Sequence, residues 1–179
     1  MKNNKIEFVL KNYNHYMSYE AESSFSMWGE ECDLRIIIDH PVNKSDFVKN
    51  KLPQYTFMLK SHVKWIDDNK ASFIETMVAD GIVELADDWA SSDSIERDGK
   101  VFYVLSEEEE IEAPVTKELF IDSLQADGVN LYIDIENDSF SFDMFFSTKP
   151  DFFAYHSIEV FLEADREGDY KININGLAG

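Results

Sequence analysis

Apolar residues alternate with other residues over two neighbouring segments in the last third of the chain. Every second residue from Leu131 to Ile135 is apolar, and the same holds from Phe140 to Phe146. Side chains of a strand point alternately to the two faces of a sheet, so each row lies on one face. The polar Asn137-Asp138 pair between the rows favours a turn. The pattern predicts a β-hairpin with one face in the core.

Shorter β-favouring runs occupy the beginning of the chain and the rest of its last third. Residues 5–11 predict a first strand, and the runs 17–28 and 32–39 predict a hairpin around a Gly29-Glu30 turn. Further strands are predicted at residues 101–105, 156–162 and 172–174. A short helix, capped by Thr116 and reaching Leu124, is also predicted.

The middle third has a helical period instead. Apolar residues between positions 45 and 68 recur at steps of three and four, which predicts an amphipathic helix. Pro53 predicts a break or a fresh start in it, because proline lacks the N–H of the helix ladder. A second stripe runs from Phe73 to Trp89 with an interruption at Gly81, and the polar residues 91–99 predict a loop.

Strands followed by helices and again by strands predict an α+β protein. We expect a largely antiparallel β-sheet with the helices of the middle third packed on one face. A length of 179 residues fits a single domain that spans residues 1–179. Its parts are N-terminal strands over about 5–39, a helical segment over about 45–90 and a C-terminal β-rich part over about 101–179.

The net charge is strongly negative and unevenly distributed. The chain has 16 basic and 36 acidic side chains, a net charge of −20. Residues 101–179 contain 18 of the acidic and 4 of the basic side chains, so −14 falls there. Such a field repels phosphate backbones and anionic lipid surfaces, and it attracts basic partners. We expect no binding to nucleic acid or membranes, and either plain solubility or a basic protein partner.

Cysteine content and the start of the chain favour the cytoplasm. Cys32 is the only cysteine, so no intramolecular disulfide suggests an oxidising compartment. No apolar segment follows the charged residues at 1–5, as a signal peptide would require. No run approaches the ~18 apolar residues that a membrane-spanning helix needs. We therefore expect a cytoplasmic protein.

One titratable residue, His156, is a candidate for chemistry. By alternation its side chain falls on the apolar face that Ile158 and Val160 share. A histidine there is either a core residue that bonds a backbone carbonyl or a helix end, or the centre of a ligand pocket with Tyr155 and Asp151. Both interpretations remain open from the sequence.

No motif predicts catalysis, a metal or a cofactor. The serine-nucleophile elbow, the phosphate-binding loop and the dinucleotide fingerprint are all missing. Asp134, Glu136 and Asp138 have the odd spacing that opens a calcium loop, but the glycine and the final glutamate of such a loop are replaced. We predict no catalytic residue, no metal ligand and no cofactor.

Exposed carboxylates in the last third are the candidate groups for binding a partner. A run of four consecutive glutamates predicts a solvated loop, and two acids after it share the exposed face of a strand. The six residues are Glu107, Glu108, Glu109, Glu110, Asp134 and Glu136.

Several short motifs are similar to those of one bacterial family. They are Tyr19-Glu20-Ala21 with Trp28-Gly29-Glu30-Glu31, Leu85-Ala86-Asp87-Asp88-Trp89, the segment 116–124, and the segment 151–158 with a closing Gly176. The chain resembles an uncharacterised family, domain of unknown function two-two-six-two. Its members tend to have an aromatic residue and a Gly-His pair near the end, whereas Ala154 and Tyr155 precede His156 here. We expect the bulk of Tyr155 to fill any cleft beside His156.

The resemblance implies no established activity, catalytic residue or cofactor. Because some members lie near toxin or immunity genes, it loosely implies an immunity-type role. The first hypothesis is therefore a non-enzymatic interaction or immunity-like protein, whose acidic C-terminal surface binds a basic protein such as a toxin. The alternative is an enzyme or small-ligand-binding protein with a pocket around His156. The sequence leaves the oligomeric state open.

Overall fold

A computed structural model describes residues 6–165 and 168–179, and ten strands and four α-helices lie within these ranges. The strands are β1 (Val9–Asn12), β2 (Met17–Met27), β3 (Glu30–His40), β4 (Ser94–Arg97), β5 (Lys100–Ser106), β6 (Glu109–Glu112), β7 (Leu124–Asp134), β8 (Ser139–Thr148), β9 (Ser157–Ala164) and β10 (Tyr170–Ala178). The helices are α1 (Ser45–Asp68), α2 (Lys70–Ala79), α3 (Ile82–Ala90) and α4 (Lys117–Ser123). None of the helices in the described ranges is both long and apolar enough to cross a lipid bilayer.

Seven strands form one large sheet in the order β1-β2-β3-β7-β8-β9-β10, and β4, β5 and β6 form a small second sheet. Neighbours in the large sheet are antiparallel, except that β3 and β7 are parallel. A parallel pair needs a crossover connection, and this one contains all four helices and the small sheet. The helices pack on one face of the large sheet, which we call the inner face. This confirms the predicted α+β fold.

Aromatic side chains hold the helices on the inner face. The side chain of Tyr55 on α1 meets Phe140 edge to face, with ring centroids 6.3 Å apart. Large buried side chains of this kind contribute about 1.5–3 kcal/mol each. The stripe of α1 residues that the sequence predicted is buried in the core, and Val48 is buried with it. The buried residues of α1 are Val48, Tyr55, Leu59, His62, Val63 and Ile66.

The hairpin between β2 and β3 turns at Trp28 and Gly29, one residue earlier than predicted. Both residues have positive φ, 55° and 94°, which is the geometry that suits a two-residue hairpin turn. The backbone N–H of Trp28 donates to Asp67 Oδ1 (2.6 Å), and its indole N–H donates to the carbonyl of Ile66 (3.1 Å). The hairpin turn is therefore fastened to the C-terminal end of α1.

Pro53 does not break α1, so the predicted interruption is wrong. The helix is continuous from Ser45 to Asp68. Pro53 is exposed, and the carbonyl that it leaves without a helical partner belongs to Lys49, which is also exposed. Water can bond that carbonyl on the exposed side of the helix, which offsets part of the cost of the missing hydrogen bond.

Three other predicted boundaries differ from the structure. Residues 91–99 are not a loop throughout, because they include β4, and Glu109 and Glu110 belong to β6 rather than to a solvated loop. The four residues of β4 are all exposed, so no apolar alternation marks this strand. The first strand begins at Val9 instead of residue 5, and residue 5 itself lies outside the described residues.

His62 is enclosed by the aromatic core. Its Nδ1 lies 2.8 Å from the hydroxyl of Tyr170, and its ring centroid is 4.3 Å from that of Phe140. The side chain is only 6% exposed, and within the described residues its Nε2 has no hydrogen-bond partner. Burial lowers the pKa of His62 to about 4, because the imidazolium would lose its hydration. The residue is neutral at pH 7.

We predict that the protein loses stability as the pH falls from about 6.5 to about 4. In this window the unfolded chain binds a proton at His62 and the folded chain does not, so protonation favours unfolding. The full effect is about 3 kcal/mol. Urea unfolding at both pH values measures it, and His62→Gln should remove most of the loss. His15→Gln, at an exposed position, is the matched control and should behave like the wild type. Equal losses in all three proteins would contradict the prediction.

Candidate functional site

The turn between β8 and β9 is held by its own polar groups. Thr148 Oγ1 accepts a hydrogen bond from the N–H of Phe152 (3.0 Å). Asp151 accepts two, from the N–H of Phe153 at Oδ1 (3.0 Å) and from the N–H of Tyr155 at Oδ2 (2.8 Å). The side chains of Phe152 and Phe153 are buried beneath the turn. Both carboxylate oxygens of Asp151 therefore accept hydrogen bonds from backbone N–H groups of the turn.

The ring of His156 is fixed at the end of this turn, just before β9. Its Nδ1 lies 2.9 Å from the carbonyl oxygen of Phe153 and 3.2 Å from that of Ala154, so Nδ1 carries the proton and donates it. Gly179 lies so close to the Cδ2–Nε2 edge that an added Cβ would collide with the ring. Trp89 packs on the ring edge to face, at 5.2 Å. The side chain is half-buried and makes the backbone contact expected of a structural histidine.

Tyr155 points away from the turn into solvent. Its side chain is 96% exposed, and its φ is 70°, in the left-handed region that favours glycine. Ala154 before it also has positive φ, 50°. The expectation that Tyr155 fills the space beside His156 is therefore wrong, because the ring lies outside and the space remains open.

An open cleft of about 360 Å³ lies beside the turn, and we call it the acidic cleft. It lies where β6, β7 and the turn meet, and three carboxylates face one ammonium group there. Because the like charges outnumber the single cation, the local field is negative. Glu109 of the glutamate run therefore lines the same cleft as Asp151, Tyr155 and His156, the residues of the predicted ligand pocket. The residues that define the cleft are Glu109, Asp127, Lys149, Asp151, Tyr155 and His156.

A second groove of about 380 Å³ adjoins the acidic cleft, and we call it the tryptophan groove. The two share Glu109, Asp151 and Tyr155. The groove adds Trp89, which is 37% exposed, and the apolar Leu105. Two accessible aromatic side chains therefore flank a group of carboxylates. Tyr and Trp are enriched in protein interfaces, because each combines a large apolar surface with a polar group.

The structure separates Asp134 and Glu136 from the acidic cleft. They lie at the other end of β7, whose 11 residues span about 33 Å. Asp134 accepts hydrogen bonds from Asn137 Nδ2 and from the N–H of Glu136, and these bonds hold the pKa of its carboxyl below the usual value. Glu136 pairs with Lys44 (2.8 Å). The six predicted acids therefore do not form one surface.

The other three glutamates of the run differ in their surroundings. Glu107 and Glu108 lie in the exposed turn before β6. Glu110 forms an ion pair with Arg97, whose guanidinium donates two hydrogen bonds to its carboxylate (2.7 and 2.6 Å). Glu109 is the member of the run that lines both the acidic cleft and the tryptophan groove.

Among the residues that the structure describes, neither a cluster of metal ligands nor an activated cysteine is present. No group of three or more His, Cys, Asp or Glu there is placed to hold a metal ion. Burial raises the pKa of the Cys32 thiol to about 12, so it is not a thiolate at pH 7. Asp127 accepts hydrogen bonds from Ser147 Oγ (2.7 Å) and Ser157 Oγ (3.4 Å), while His156 bonds backbone carbonyls. These residues therefore do not form a Ser-His-Asp relay.

Trp89 and Asp127 are among the residues of this region that were not predicted as part of a site. Trp89 lies at the end of α3, where a packing role is the ordinary interpretation. Asp127 lies at a β-bulge of β7, where the register shifts between Ala126 and Gly128. An Asp-Gly pair inside an otherwise β-favouring run is the one sequence signal that could have indicated this bulge.

Fold and cleft together define a class of protein. It is an α+β protein whose large sheet has helices on one face and an acidic cleft at one end. The chain belongs to the family described as "Uncharacterized protein conserved in bacteria (DUF2262)", which matches residues 8–171. This confirms the resemblance drawn from the short motifs. No curated protein and no solved structure matches the chain.

We predict that Tyr155→Gly stabilises the fold. Glycine relieves the positive φ, which costs a residue with a Cβ about 1–2 kcal/mol, but it also gains freedom in the unfolded chain. The net gain is about 0.5 kcal/mol, a rise in Tm of about 1–2 °C for a chain of this length. Thermal unfolding measures it. Tyr155→Ala is the matched control, since it removes the ring and keeps the Cβ, and it should bring no gain. A Tyr155→Gly variant less stable than Tyr155→Ala would contradict the prediction.

Proposed function

We propose that this protein is a non-enzymatic interaction protein of the immunity type, which binds a basic segment of a protein partner at the acidic cleft and the tryptophan groove. The observation that carries this proposal is the position of Tyr155. Its side chain is 96% exposed between two recesses that share the carboxylates of Glu109 and Asp151.

Tyr155 makes no contribution to the core that would explain its presence. Its backbone is in a region where glycine would be less strained, and its ring is almost fully hydrated. Strained residues with exposed side chains are found at sites that bind other molecules. A tyrosine with Trp89 nearby supplies the aromatic anchors that dominate the binding energy of many protein interfaces.

Charge supports a basic partner. The acidic cleft has three carboxylates and one lysine, and it lies in the part of the chain that carries −14 of the net charge. A field of this sign accelerates the encounter with a positively charged protein and disfavours acidic competitors. Since the Debye length is about 8 Å at physiological salt, charges near the cleft act on the partner at close range.

The alternative, an enzyme or small-ligand pocket around His156, has less support from the geometry. A histidine acts as a general acid or base through a ring nitrogen that can reach the substrate, and an aspartate through a carboxylate oxygen that can do so. Nδ1 of His156 donates to backbone carbonyls, Gly179 packs on the opposite ring edge, and Asp151 accepts two backbone N–H groups. These groups build the turn that presents Tyr155. A cytoplasmic location goes with the proposed function, because Cys32 is a free thiol.

Affinity capture from the bacterial host tests the proposal. Tagged protein should retain a basic protein at about 50 mM salt and release most of it at about 500 mM, since salt screens the charges. Glu109→Lys and Tyr155→Ala should each abolish or strongly reduce retention. The same variants purified in bulk should remain folded, because both residues are exposed.

Glu75→Lys is the matched control for charge reversal. Glu75 is exposed on α2 and lines neither the acidic cleft nor the tryptophan groove, so this variant should retain the partner like the wild type. Capture of no basic protein, or equal capture by Glu109→Lys and the wild type, would contradict the proposed function.

A further inference from the structure

The outer face of the large sheet, opposite the helices, has apolar side chains of its own. Ile37, Phe145 and Phe161 are half-buried there, and Tyr132 is 37% exposed. None of these four belongs to the hydrophobic core or to the residues packed against it within the described ranges. They form a separate apolar surface, which the core does not explain.

Three aromatic residues of this face surround one carboxylate. Asp143 on β8 is the ladder partner of Asn130 on one side and of Phe161 on the other. Side chains opposite each other in a ladder lie about 4.5–5.5 Å apart at Cβ, and diagonal neighbours about 7–8 Å apart. Tyr132 is such a diagonal neighbour, and Phe145 follows on the same face of β8. We call Tyr132, Asp143, Phe145 and Phe161 the outer-face patch.

No cationic side chain among the described residues pairs with Asp143. Its pKa is raised because the surrounding side chains exclude water, an effect that the hydroxyl of Tyr132 partly offsets. None of the ion pairs within the described ranges involves Asp143. The basic residue on the same row of the sheet is Arg35, and its Nη2 is bound to Glu20 Oε2 at 3.0 Å. Asp143 is therefore a partly desolvated carboxylate that has no cationic partner in the part of the chain that the structure describes.

We propose that the outer-face patch docks an arginine side chain of a protein partner. A guanidinium is planar, so it can bond a carboxylate through two N–H groups and stack on an aromatic ring at the same time. Asp143 provides the carboxylate, and Tyr132 and Phe161 provide the rings. An ammonium group of lysine could pair with Asp143 but would not stack in this way.

Charge complementarity selects a basic partner over a second copy of this chain. The other charged side chains of the described residues that point to the outer face near the patch are Asp33, Glu159 and Glu163, against one cation besides Arg35, namely Lys171, which is the ladder partner of Glu163. A symmetric dimer through this face would bring these carboxylates and Asp143 against one another, which is costly. A positively charged partner removes that repulsion and supplies the missing cation.

This inference goes beyond the proposed function and does not rest on it. The outer-face patch and the acidic cleft adjoin on β8 but have different centres, since Ser147 of the cleft is two residues, about 7 Å, from Phe145 and four residues, about 13 Å, from Asp143. One partner could contact both surfaces, but either surface can bind when the other is altered.

A random dodecapeptide library displayed on phage tests the proposal. Peptides selected on the wild-type protein, and counter-selected on Asp143→Asn, should be enriched in arginine. Synthetic versions should bind Asp143→Asn about tenfold or more weakly, the effect expected for a hydrogen-bonded charge pair. Phe161→Ser should weaken them as well. Glu22→Gln, an exposed acid on the same face, is the matched control and should bind like the wild type.

The other outcomes overturn the proposal. They are recovery of no peptide that distinguishes Asp143→Asn, enrichment without arginine, or peptides that lose binding to Tyr155→Ala and not to Asp143→Asn. The last result would assign the peptides to the acidic cleft and leave the proposed function standing. Concentration-dependent dimerisation that Phe161→Ser abolishes would show that a second copy occupies the face instead. Circular dichroism and thermal unfolding of each variant confirm that the comparison is made between folded proteins.

Discussion

The parallel pairing of β3 with β7 is the constraint on which the rest of the structure depends. Residues 33–37 pair in register with residues 128–132, and the chain between these strands must return to the same end of the sheet. It does so over one face, where the helices bury the large side chains of the inner face. The opposite face is left without helices. The same connection brings β6 to the end of the sheet, where Glu109 meets the turn between β8 and β9.

Local pattern was sufficient for much of the fold. The period of two from Phe140 to Phe146 and the period of three and four in α1 each follow from burial of one face, so both could be predicted. β4 could not be predicted by periodicity, because all four of its residues are exposed. Its turn did have a signal. Asp98 and Gly99 both have positive φ, and an Asp-Gly pair is typical of a two-residue hairpin.

The candidate site was less accessible to sequence reasoning, because its charges come from distant segments. Glu109, Asp127 and Asp151 meet only through tertiary structure. The sequence drew attention to His156 as a titratable residue beside apolar ones, whereas the structure uses its ring to hold a turn. The side chain of Tyr155 was expected to fill the cleft beside His156, because a glycine is typical at this position of the family. The φ of the residue, which places the ring in solvent, is a property of the turn and not of the local composition.

The three tryptophans lie at three different joints of the molecule. Trp28 connects the β2–β3 hairpin to the end of α1, Trp65 stacks on Tyr170 at 3.8 Å, and Trp89 packs on His156. The fluorescence of an indole depends on how far water reaches the ring, so the emission of each tryptophan reports on the contact that it makes. Variants that each keep one of the three tryptophans would show whether these contacts are lost together or one after another when the helices separate from the sheet.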